Sequence, residues 1–296
     1  MSIDGRRRVF NIILFFCLII LCLVGSYALV KYIDSYGLGF HRHNLDTYFL
    51  DIGQGDATMF YTENREVVLV DGGPDLSVLY QLGKSLPFYE KTIDLLVLTH
   101  PDSDHLNGLI AVLDRYRVKK ILYTGVQDDL VAYDIFKQAI QTEGAEIIIA
   151  RAGEKFNFGR LGVAILYPEN SIQNNYYKDT NDSSLVLRLS YGDIDFLLTG
   201  DMPQENELAL LETPEELASE VMKAGHHGSK TSSALEFIQA VDPLYGIFSV
   251  GKDNSYGHPH FRVIQNFTAV GAQILRTDEL GTIHMRTQGK TIEIIR

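Results

Sequence analysis

His100-Pro101-Asp102-Ser103-Asp104-His105 follows directly on the apolar run Ile93–Thr99 and packs four candidate metal ligands into six residues. A short apolar run closed by turn-forming residues reads as a buried strand, and the hexapeptide reads as the loop at its end. Such a loop delivers neighbouring side chains to one small volume. His100 and Asp102 can face one centre, while Asp104 and His105 are free to diverge toward a second. Imidazole and carboxylate suit Zn, Mn or Fe, and two such cations close together can share a water and lower its pKa. The chemistry this spacing serves best is metal-assisted hydrolysis.

The same device recurs downstream. Phe196-Leu197-Leu198-Thr199-Gly200-Asp201 is another apolar strand ending in a small residue and a carboxylate, although Met202-Pro203 opens a helix that Asp201 could merely cap. Val221–Gly225 runs into His226-His227-Gly228-Ser229, and Asn254-Ser255-Tyr256-Gly257-His258-Pro259-His260 adds a glycine-flanked histidine. Upstream, Asp71-Gly72-Gly73-Pro74 stops the strand Glu66–Val70 abruptly.

Taken in order, Asp71-Gly72-Gly73, the His-x-Asp-x-Asp-His set from His100, Leu197–Asp201, His226–Ser229 and Tyr256–Pro259 resemble the metallo-β-lactamase superfamily. More narrowly, they resemble the hydrolase domain of the ComEC/Rec2 competence proteins, over about residues 46–290. The resemblance implies an α/β fold, an αββα sandwich with a dinuclear metal site at the sheet edges. Carried over by position, His100 and Asp102 bind one metal and Asp104 and His105 the other. Asp201 bridges, and His226 or His227 completes the second site. Asp71 is then an acceptor that fixes a ligand's tautomer. Asp102 stands where most of the superfamily has a second histidine, and the stretch Asn181-Asp182-Ser183-Ser184 lies where it has another. More oxygen and less nitrogen raises Mn²⁺ relative to Zn²⁺, with either ion admitted.

Val9–Val30 carries no charged side chain and is long enough to cross a bilayer as a helix. Arg6, Arg7 and Arg8 precede it, which keeps the N-terminus cytoplasmic and puts everything after Lys31 outside a bacterial cytoplasmic membrane. A cleaved signal peptide, with Ser26-Tyr27-Ala28 at the cleavage point, is the alternative. Both cysteines, Cys17 and Cys22, lie in this run, so the remainder can form no disulfide. Residues 1–31 hold four of the 26 basic and one of the 38 acidic residues, leaving 22 basic and 37 acidic, a formal −15. That balance excludes broad wrapping of nucleic acid but not a local groove.

A spacer is expected over 32–44 and one domain over 45–296. Strands are expected at 47–51, 57–62, 66–70, 119–123, 147–150, 185–190, 194–199, 273–276, 282–286 and 291–295, and helices at 106–116, 130–141, 204–211 and 234–241. The expected reaction is phosphoester hydrolysis, with DNA or a small phosphodiester as substrate and a hydroxide shared between two divalent metals as nucleophile. Asp104 belongs to its catalytic centre. Asn181, Ser184, Ser229 and Lys230 are candidates for the phosphate, and His258 for a donor to the leaving oxygen. A phosphocholine-type, lactone or lactam substrate and a non-catalytic metal-binding module are the alternatives. No protein partner is implied.

Overall fold

Leu95 and Val97 enter one apolar cluster while their neighbours Leu96 and Leu98 enter another, and Phe196 and Leu198 part in the same way from Leu197. Strands that are apolar on both faces need cover on both sides. In the computed structural model, which describes residues 3–35 and 44–295, that cover is a second sheet on one face and helices on the other.

The chain divides into two units, Met1–Arg42 and His43–Arg296. The first contains helix α1 (Ile3–Ser35). Its segment Ile12–Leu29 is long and apolar enough to span a membrane, with a mean hydropathy of 2.8. The helix passes both ends of the charge-free run. Expected spacer residues 36–43 lie outside the described residues.

The second unit contains two mixed sheets. Strands β1 (Leu45–Phe49), β2 (Thr58–Tyr61), β3 (Val67–Val70), β4 (Thr92–Val97), β5 (Arg117–Tyr123) and β6 (Glu146–Ile149) share one sheet with β14 (Ile283–Thr287) and β15 (Ile292–Ile295). The other holds β7 (Lys155–Phe158), β8 (Leu161–Tyr167), β9 (Val186–Tyr191), β10 (Ile194–Leu198), β11 (Val221–Lys223), β12 (Tyr245–Phe248) and β13 (Gln273–Arg276). Residues of both sheets, among them Phe60, Val97, Leu187 and Phe196, form the central core. Outside the first sheet pack α2 (Ser77–Ser85), α3 (Ser103–Arg115) and α4 (Val131–Glu143). Outside the second pack α5 (Gln204–Leu210), α6 (Leu235–Val241) and α7 (Phe261–Ala269). The result is the αββα sandwich.

Strands β3 to β6 run parallel, as do β10 to β13. Parallel strands bring their C-terminal ends to one edge of a sheet, where α/β proteins place their ligands. Asp71 follows β3, His100 follows β4, Asp201 follows β10 and the histidine pair follows β11.

The structure adds elements that periodicity did not reveal: the hairpin β7–β8, strand β12, and helices α2 and α7. Polar residues interrupt Lys155–Phe158, and Tyr245–Phe248 is too short to show a period. Helix α3 also begins at Ser103, three residues before its expected start, because its first turn consists of the ligand-type residues themselves. Asp102 and Asp104 at that N-terminus complement the helix dipole. Gly72 and Gly108 let this helix close on the Asp71 loop, since a Cβ on either would strike the other's backbone.

A candidate metal centre between the strand ends

Asp71 has a left-handed backbone, φ 61°, and so do His226 and His227, φ 49° and 54°. Left-handed conformations are costly for residues with side chains and persist where surrounding structure enforces them. Three of the seven non-glycine cases among the described residues therefore fall at the strand ends that follow β3 and β11.

Asp71 is the hub of the histidine array. Its Oδ1 accepts the Thr99 N–H at 2.8 Å, and its Oδ2 accepts the Thr99 hydroxyl at 2.8 Å and His105 Nδ1–H at 2.8 Å. With its proton committed to Asp71, the Thr99 hydroxyl can only accept from His100 Nδ1, 3.0 Å away. Both rings then carry hydrogen on Nδ1, which leaves Nε2 as the nitrogen that a proton or a metal cation takes up. His227 reaches the same tautomer independently, because its Nδ1 lies 3.1 Å from the Ser249 carbonyl, which can only accept.

These Nε2 atoms converge on carboxylates. His105 Nε2 lies 3.3 Å from Asp201 Oδ1, and His227 Nε2 lies 3.4 Å from Asp201 Oδ2 and 3.1 Å from Asp104 Oδ2. His226 Nε2 is 3.6 Å from Asp201 Oδ2, and His100 Nε2 is 3.7 Å from Asp102 Oδ2. Asp201 thus meets three histidines with its two oxygens. Of the paired histidines, His227 is buried, while His226 is part-exposed and bonds Thr231 Oγ1 at 3.2 Å through Nδ1.

The electrostatics follow from this crowding. Burial works against the Asp201 anion, but His227 and His105 outweigh it and hold the carboxyl well below its usual range. Burial likewise opposes the Asp104 anion, yet the bond from His227 and the charge of His105 keep it near about 2. His227 is held up at about 9 because Asp201 and Asp56 overcome its burial, and His105 is raised by Asp201 and Asp71. Burial, reinforced by His105, lowers His100 to about 4. A proton and a metal cation compete for the same Nε2 lone pairs.

The residues present fit divalent metal. His100 Nε2, His105 Nε2 and Asp201 Oδ1 are buried atoms without a hydrogen-bond partner. Stranding such atoms costs about 1–3 kcal/mol each unless something binds them. Asp56, His105, Asp201 and His227 bring ligand atoms within 4.8 Å of one another, all buried. Nitrogen and carboxylate oxygen together match Zn or Mn.

The remaining expected residues distribute unevenly. Thr180 donates its hydroxyl to Asp102, and the Asn181 side-chain Oδ1 is buried without a partner. Ser184, expected at the phosphate, is fully buried and accepts the Asp201 N–H at 3.1 Å, so it braces Asp201. Ser229 is buried with its hydroxyl 2.9 Å from Thr231 Oγ1, whereas Lys230 is exposed. His258 sits 5.7 Å, ring to ring, from His226, with Nδ1 buried and unpartnered. Asn254 holds its loop through the His258 N–H at 3.0 Å and carbonyl at 2.8 Å. Burial, with His226 and His227 beside it, lowers His258 to about 4.

Sequence reasoning missed Asp56 and Lys223, which meet in a buried ion pair behind the histidines. Asp56 closes the sequence Gly53-Gln54-Gly55-Asp56, whose composition signals a tight turn and no ligand. A lysine between Met222 and Ala224, in a run otherwise fit for a core, was the available signal, since lysine is almost never fully buried without a partner.

A two-sheet sandwich with this donor set at its strand ends defines a metal-dependent hydrolase fold, and a family model of the metallo-β-lactamase superfamily matches residues 50–252. The chain belongs to that superfamily. It is 34% identical over 264 residues to ComE operon protein 3 of Bacillus subtilis (strain 168), covering 81% of this chain and 33% of the relative. It is 32% identical over 240 residues to competence protein ComA of Neisseria gonorrhoeae, covering 79% of this chain and 31% of the relative. The chain therefore spans about a third of the length of these relatives. Among solved structures, the metallo-β-lactamase fold protein YhfI from Bacillus subtilis has a TM-score of 0.58 at 12% identity, covering 83% of this chain and 100% of that one. CmlA, a diiron β-hydroxylase from Streptomyces venezuelae, reaches 0.54 at 13% identity, covering 84% and 55%. A hydroxylase on this fold means that the reaction must be argued from the site.

Proposed function

We propose that this chain is a membrane-anchored, metal-dependent phosphodiesterase with nucleic acid as its leading substrate. The observation that carries the reading is Asp201, whose two oxygens stand 3.3–3.6 Å from His105, His226 and His227. A buried carboxylate among three histidines suits divalent metal, and its two oxygens would let a pair of cations share it. His100 and Asp102 would hold one, and Asp104, His105 and His227 the other, with Asp201 shared. When bound, such metals supply a nucleophilic water near neutral pH and polarise phosphoryl oxygens.

The chain's own residues set the rest. Part-exposed His226 stands beside His258 and would meet a phosphate oxygen. His258, lowered to about 4, is a neutral ring at pH 7. It donates a hydrogen bond to the leaving oxygen and does not carry a labile acid proton. Exposed Lys230 draws the phosphate in, while Ser184 and Asp71 keep their ligands aimed.

The kinship with competence proteins supports DNA as substrate. Helix α1 supports an anchor, and Arg6–Arg8 support an inside N-terminus with the domain outside. The formal −15 of the chain after Lys31 favours a second reading, a small phosphodiester such as a phosphocholine ester. Detergent-purified full chain, loaded separately with Mn²⁺ and Zn²⁺, should hydrolyse bis(4-nitrophenyl) phosphate and cut single- or double-stranded DNA. Turnover of the small diester without any cut DNA would reject the nuclease reading, and bound metal with no turnover at all would reject the enzyme.

A further inference from the structure

Asp201 and Asp56 face the same two histidines from opposite sides. Asp201 approaches the Nε2 atoms of His105 and His227, at 3.3 and 3.4 Å. Asp56 approaches their Nδ1 atoms, at 3.9 Å from His105 with Oδ2 and 3.2 Å from His227 with Oδ1. The Nδ1 atoms point away from the converging lone pairs, toward Asp71 and the Ser249 carbonyl. Asp56 Oδ2 is also occupied by Lys223 Nζ, and both side chains are almost fully buried. The same Nζ donates to the Ala224 carbonyl at 3.1 Å.

We infer that Asp56 and Lys223 are a positioning pair, in which a fixed ammonium holds Asp56 behind His105 and His227 so that it steers their rings and does not itself ligate metal. Proximity, and an Oδ1 that is buried without a hydrogen-bond partner, would count Asp56 as a ligand. Two features argue otherwise. A cation at the Nε2 faces lies across the imidazole rings from Asp56, and an ammonium already on Asp56 repels a second cation there. The backbone agrees with this placement: the Asp56 N–H donates to the Asp104 carbonyl at 3.1 Å, and Gly251 N–H donates to Gln54 Oε1 at 3.2 Å. The Gly53–Asp56 turn is thereby tied both to the ligand loop and to the strand end that carries Ser249. Outer partners of metal-binding histidines typically alter metal affinity by about 10–100-fold when removed.

The inference rests on the metal-site reading above, and metal binding rather than turnover tests it. Full chain in detergent is titrated with Mn²⁺ for stoichiometry and affinity, and with Co²⁺ for its visible spectrum, as the native form, Asp56→Asn, Lys223→Met and the double variant. Asp201→Asn serves as the benchmark for a lost ligand. Asp56→Asn should bind as many ions as the native chain, about 10–100-fold more weakly, with a shifted Co²⁺ band. Asp201→Asn should lose at least one ion. The double variant removes both buried charges, so it remains informative where Lys223→Met alone fails to fold, and it should bind no more weakly than Asp56→Asn. Loss of an ion in Asp56→Asn would make Asp56 a ligand, and native affinity in that variant would remove any positioning role; either overturns the inference. A native chain that takes up no metal overturns the metal reading itself and this inference with it.

Discussion

Glu207 shows how much one buried carboxylate supports around the site. Its two oxygens accept the N–H groups of Ser233 and Ala234, at 2.7 and 2.8 Å, at the start of α6 and next to the loop that holds the histidine pair. Burial lifts its carboxyl to about 7, against the pull of those two bonds. A folded value above the ordinary 4.5 means that its contribution to stability is complete below about pH 4.5 and is lost as pH rises through about 7. Glu207→Gln turns an amide donor toward one N–H, so it should destabilise the fold at pH 5 by about 1–3 kcal/mol. It should also flatten the decline between pH 5 and 8. Urea midpoints across that range check this, and equal slopes for the two proteins would contradict it. Both histidine ligand candidates at positions 100 and 105 were legible from spacing, because their neighbours in sequence are their neighbours in space. Asp56 was not, because its meaning comes from Lys223, far along the chain and on the other sheet.

Among the elements, the strand-to-loop switches decide the site. Four of them end in Asp71, His100, Asp201 and His226, and each was readable as an apolar run closed by small or titratable residues. The tight turn before β2 carried equal weight without that signature. Gly55 has φ 137°, and a Cβ there would collide with the Asp104 carbonyl oxygen. Gly55→Ala should therefore push the turn off the ligand loop, costing about 1–3 kcal/mol of stability and weakening metal binding. Gly53→Ala, where a Cβ would meet open space, should cost less despite its own φ of 80°. Thermal unfolding with and without Mn²⁺ ranks the two, and the reverse order would contradict the packing. The hairpin β7–β8 and strand β12 escaped sequence reading for a different reason. Their side chains find apolar cover from distant segments, which local periodicity does not encode.

For the whole molecule, the two-sheet architecture was readable because strands in both halves of the chain flank helical segments, and an apolar sheet face must be covered. The acidic balance and the apolar first helix were equally plain in composition. The edge at which the two sheets present their strand ends was implied only by resemblance, since nothing local states that β3 and β4 and then β10 and β11 run parallel. The central claim is that this shared edge holds two metals around Asp201 and hydrolyses phosphodiesters with them. Metal content and diester turnover, measured together on native full chain and on Asp201→Asn, test it most directly. The account predicts about two Mn²⁺ or Zn²⁺ per native chain, with turnover that a chelator removes and added metal restores. It predicts loss of bound metal and a fall in turnover of at least about a thousandfold in the variant, about 4 kcal/mol of transition-state stabilisation. An Asp201→Asn protein that keeps native metal content and native turnover would contradict it.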